Sequence, residues 1–164
     1  MEESTLKYWK DAGHVARRTL EAMKLELTPG KTFHEVIEAA ERYIHRHGGK
    51  PAFPGTIAVN DLAAHFTTDH AINQVEGWDG EMVLQKGDCV KIDFGVHIKG
   101  HIADNALTFE IGNGNEHTEQ IKAAKEARDA AIEMMHPGTP WYKVGQAAAQ
   151  PSLDAGFQPI RNLC

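Results

Sequence analysis

Two aspartates set inside strand-like sequence constrain this chain more than any other feature. Asp93 interrupts the apolar run Val90-Lys91-Ile92-Asp93-Phe94-Gly95-Val96, and Asp104 interrupts Ile102-Ala103-Asp104-Asn105-Ala106-Leu107. Carboxylates are depleted from strands, yet Val90, Ile92, Phe94 and Val96 alternate at the period-two spacing of a half-buried strand. The pattern predicts a hairpin over 89–111 around Ile98-Lys99-Gly100. With Ile98-Lys99 as a two-residue turn, Val90 faces Leu107, Phe94 faces Ala103 and Asp93 faces Asp104.

Residues directly opposite on one face hold their Cβ atoms about 4.5–5.5 Å apart. Two carboxylates at that separation repel unless a cation or a shared proton lies between them. Three readings follow. A divalent metal pair about 3.5–4 Å apart would neutralise them and activate a bridging water for hydrolysis. Alternatively both side chains reach water on a solvated sheet face, or the two acids share a proton.

Around the hairpin the periodicity is helical. Trp9, Ala16, Leu20 and Met23 recur on one face, with Ser4 as N-cap candidate. Thr32 followed by Glu35 reads as a capping box, opening a helix with Phe33, Val36, Ile37, Ala40 and Ile44 on one face. Residues 50–87 read as irregular apart from a short apolar stretch, Thr56 to Val59, with a polar loop from Thr67 to Glu81. Further helices are predicted from about Thr118 to Met135, and from Thr139 as N-cap with Pro140 first, shortened or kinked by Pro151. The class is mixed α/β or α+β.

Composition narrows the function classes. A net charge of −6 lends no support to a phosphate-backbone binder, so nucleic acid is not an expected partner. No apolar run approaches membrane length and no secretory pattern opens the chain, so a cytoplasmic location is expected. Cys89 and Cys164 form neither a Cys-x-x-Cys motif nor a disulfide framework. Gly30-Lys31-Thr32 lacks the upstream Gly of a phosphate-binding loop, since position 25 is Leu, and no Gly-x-Ser-x-Gly or His-Glu-x-x-His is present. His65, after Ala63-Ala64, could point into the same cleft as the aspartates or be an ordinary surface histidine. His97 and His101 flank the turn and receive no role. Phe53, between Ala52 and Pro54, reads as core or as a pocket wall.

The motifs Lys50-Pro51-Ala52-Phe53-Pro54, Ala63-Ala64-His65-Phe66-Thr67, Lys91 to His97, Ile102-Ala103-Asp104 and Pro159-Ile160-Arg161-Asn162-Leu163 follow one another as in methionine aminopeptidases. The chain resembles the type II, archaeal or eukaryotic, branch from roughly Leu27 to Leu163. The resemblance implies the first half of a pita-bread fold, with a central antiparallel hairpin sheet and flanking helices. It also implies two divalent ions of the cobalt, manganese, iron or zinc kind. Asp93 would chelate one metal and Asp104 would bridge both. His65 would contact substrate near the scissile amide, and Phe53 would line the methionine pocket. The implied reaction is metal-dependent removal of N-terminal methionine, with newly made polypeptides as partners and a transient ribosome contact compatible with that role. A proline-specific peptidase or a non-catalytic binding protein on the same fold are the alternatives. The family's further ligands, a His and two Glu, follow the Pro-Ile-Arg-Asn-Leu motif. Residues 1–164 are therefore expected to be the N-terminal half of a catalytic domain, truncated and inactive alone.

Overall fold

A computed structural model describes residues 3–68, 82–112 and 114–160. The chain divides into two compact units, Met1–Gly114 and Asn115–Cys164. Among its described residues the first unit contains helices α1 (Glu3–Met23) and α2 (Phe33–Arg46) and four strands, β1 (Lys50–Pro51), β2 (Thr56–Val59), β3 (Cys89–Ile98) and β4 (His101–Glu110). All pairings are antiparallel. β3 is central, with β1 and β2 along one edge and β4 along the other.

The core lies between the helices and one face of this sheet. α1 buries Ala12, Val15, Ala16, Thr19, Leu20 and Met23, while Trp9 remains 42% exposed. Ser4 lies within α1, not at a cap ahead of it. α2 buries the five apolar residues expected of it, and these join Val90, Ile92, Phe94 and Val96 of β3 in one cluster. The capping box is present: the Glu35 amide donates to Thr32 Oγ1 at 3.1 Å, and the Thr32 amide donates to Glu35 Oε2 at 2.8 Å. β1 pairs within the stretch expected to be irregular, with Lys50 opposite His97.

The hairpin register departs from expectation by two residues. Ile98 pairs with His101, so the turn is Lys99-Gly100, and Asp93 lies opposite Ala106 while Gly95 lies opposite Asp104. Lys99 and Gly100 have φ of 49° and 82°. Two-residue turns that match strand twist need positive φ at the first central position, and the type I′ form at both; β-branched Ile98 disfavours that region. Gly100 supplies it, and Ile98 stays in the strand. Val90 thus faces Phe109 and Phe94 faces Asn105, in place of Leu107 and Ala103. A shift of two keeps every side chain on its expected face.

The second unit is a helical pair, α3 (Thr118–Met134) and α4 (Trp141–Asp154), which pack on each other and bury Ala123 and Val144. Pro140, not Thr139, occupies the N-cap. α4 continues through Pro151, so the expected shortening is absent. The missing amide falls near the helix end, with three helical residues beyond it. The polar loop expected after Thr67 lies outside the described residues from position 69 to 81, as do Arg161 to Cys164. Among the described residues no helix is long and apolar enough to cross a membrane.

The capping box gives a stability prediction. The Thr32 amide, with a smaller contribution from its hydroxyl, holds the exposed Glu35 carboxyl below the usual glutamate range. A depressed acid stabilises the fold above that range and loses its contribution as pH falls through the folded value. Thr32→Ala should cost about 1 kcal/mol at neutral pH. In urea unfolding across the acid range, the stability difference between the parent chain and Glu35→Gln should shrink as Glu35 protonates.

Candidate active site

Because the even-numbered residues of β3 turn toward the helices, Lys91, Asp93, Gly95 and His97 occupy its other face. Thr56 of β2 lies opposite Asp93 on that face, a neighbour the sequence reading missed. Asp104 is opposite Gly95, placing the two aspartates on the same face as diagonal neighbours. At the diagonal position Cβ atoms sit about 7–8 Å apart or somewhat less, wider than direct opposition. The carboxyls are still close enough for the Asp104 charge to act on Asp93.

Burial, followed by the Asp104 charge, pushes the Asp93 carboxyl above the usual aspartate range. The Lys91 ammonium, and to a smaller extent His65, opposes the shift. Asp104 is exposed, whereas Asp93 Oδ1 is buried and accepts no hydrogen bond. The solvated-face reading fits Asp104 but does not account for the enclosed Asp93 Oδ1. A buried acceptor left unsatisfied costs roughly 1–3 kcal/mol, more when charged. A hard cation bound between the carboxyls would occupy that lone pair and cancel the repulsion, so the pair fits a divalent ion. The two aspartates contribute two donor side chains. Among the described residues no cluster of three or more His, Cys, Asp or Glu can hold a metal ion.

His65 and Phe53 reach the same face by different routes. His65 is exposed, has φ of 62°, and stands near enough to Asp93 to act on its charge. Phe53 packs over Gly95: a Cβ there would lie 2.3 Å from Phe53 Cε1. Glycine within a strand often marks such a close approach, a signal available in the sequence but not used. The two aspartates and Phe53 thus share one patch of sheet, and His65 stands on the segment that Lys91 of the same strand face contacts at Ala63. His101 instead packs against Tyr8 and Trp9, with ring centroids 5.3 Å from each.

Solved structures share this architecture. Methionine aminopeptidase from Thermotoga maritima superposes with a TM-score of 0.86 at 24% identity, over 99% of this chain and 65% of that one. Prolidase from Pyrococcus furiosus gives 0.77 at 25% identity, over 94% of this chain and 44% of that one. The fold is accordingly the pita-bread fold. Among curated sequences, the methionine aminopeptidase of Thermococcus onnurineus is 38% identical over 93% of this chain. The chain spans about half the length of such relatives, 48% in that case. The description "Metallopeptidase family M24" fits residues 7–164, which include the acid pair, His65 and Phe53, and the chain belongs to that family.

Proposed function

We propose that residues 1–164 form the first half of the catalytic domain of a methionine aminopeptidase, a metal-dependent exopeptidase acting on newly made polypeptides in the cytoplasm. The carrying observation is the orphaned, buried Asp93 Oδ1 beside Asp104, on the face where His65 and Phe53 converge. Asp93 and Asp104 would hold divalent metal, with the remaining donors contributed by a second half. When bound, such an ion polarises a carbonyl and lowers the pKa of water.

The other side chains supply what metal cannot. The His65 imidazole donates a hydrogen bond to the scissile amide and holds it in line. That donor matters most as charge develops on the reacting carbonyl. The Phe53 ring, fixed by Gly95, offers an apolar wall to an unbranched thioether. Kinship with methionine aminopeptidases at 38% identity favours methionine over proline as the residue recognised.

Three substitutions test this in the protein carrying its complete catalytic domain. Asp104→Asn should remove most bound manganese, measured by elemental analysis, and abolish cleavage of a Met-Ala-Ser peptide. Unchanged metal content would sink the assignment. His65→Ala should keep its metal and lose turnover by about 10²–10³-fold, the usual loss for one preorganised donor. Gly95→Ala should displace the Phe53 ring and raise KM for methionyl peptides several-fold, with less effect on kcat. An enzyme that cleaves Xaa-Pro peptides in preference to Met-Ala-Ser would contradict the methionine reading.

A further inference from the structure

His65 stands on a segment, residues 60–66, that is neither helix nor strand, and whose backbone is left-handed at Asn60 (φ 52°) and His65 (φ 62°). Such conformations outside glycine persist where the surroundings over-determine them. Here the anchors are visible. The Asn60 amide donates to Cys89 O at 3.0 Å, the Cys89 amide donates to Asn60 Oδ1 at 3.0 Å, and Asn60 Nδ2 donates to Asp88 Oδ1 at 2.9 Å. At the far end the Ile57 amide donates to Phe66 O at 2.8 Å. Between these ends, Lys91 Nζ reaches out from β3 and donates to Ala63 O at 2.8 Å.

Lys91 has an unusual position for that task. It precedes Asp93 by two residues on the same strand face, so one rigid strand carries both an acid of the site and the ammonium that grips the His65 segment. We propose that Lys91 is a positioning residue for His65: by clamping the Ala63 carbonyl two residues ahead of it, the ammonium sets where the imidazole stands relative to Asp93. This rests on the reading of His65 as the group that meets the scissile amide. The clamp acts through geometry. Small displacements of a catalytic group cost rate heavily, roughly a hundredfold for about 1 Å.

The test uses Lys91→Met, Lys91→Arg, His65→Ala and the Lys91→Met/His65→Ala pair in the metal-loaded complete enzyme, assayed on Met-Ala-Ser. Lys91→Met should lower kcat about ten- to hundredfold with KM, manganese content and melting temperature close to the parent. Lys91→Arg, which retains a donor, should recover most of the loss. In the His65→Ala background Lys91→Met should have little further effect, because the two residues act as one unit. Hydrogen exchange at residues 61–66 should quicken in Lys91→Met and not in His65→Ala. Additive losses, or metal loss in Lys91→Met, would overturn the clamp and assign Lys91 to the charge balance of Asp93. Unchanged kcat in Lys91→Met would overturn it too. Full turnover in His65→Ala would instead bring down the functional reading, and the clamp with it.

Discussion

A turn of two residues, Lys99-Gly100, holds both backbone φ angles positive and thereby fixes the pairing of two ten-residue strands. The placement of both aspartates follows from that pairing. Strand side chains alternate between faces, so the register that sends Val90, Ile92, Phe94 and Val96 into the core also sends Asp93 and Gly95 to the other side. The same pairing brings Asp104 opposite Gly95, where the missing side chain leaves space that the Phe53 ring fills. Core burial on one face of β3 and site geometry on the other thus share one strand register.

The acid face is costly for the folded chain. Asp93 carries a buried oxygen without a hydrogen-bond partner, a like charge beside it, and only partial relief from Lys91 and His65. A protein selected for stability alone would gain by replacing this aspartate with a threonine or valine, which suit strands better. Such unsatisfied polar groups in an otherwise regular strand are expected where a ligand supplies the missing interaction. The left-handed His65 belongs to the same pattern: a strained residue held by anchors on both sides, next to the chemistry.

What separates the two units is equally informative. The described residues of the first unit build a core in which two helices cover one face of a sheet, drawing on residues from α1 to Ile111. The α3–α4 pair buries little, Ala123 and Val144, and leaves Trp141 77% and Ile132 60% exposed. The catalytic reading depends only on the first of these units.

The sequence by itself determined whatever depends on neighbours along the chain. The capping box at Thr32, the buried stripe of α2 and the two-faced alternation of β3 are local patterns set by helix and strand periodicity. The presence of both aspartates on one face also survives from sequence, since a register shift of two cannot move a side chain across the sheet. Tertiary structure decided the rest. Whether the aspartates stand directly or diagonally opposite depended on which residues could adopt positive φ, and Ile98 could not do so cheaply. The fit of Phe53 over Gly95 joins residues more than forty positions apart, and the grip of Lys91 on Ala63 joins residues twenty-eight apart. No periodicity encodes such contacts, because they arise only when packing brings distant segments onto the same face of one strand.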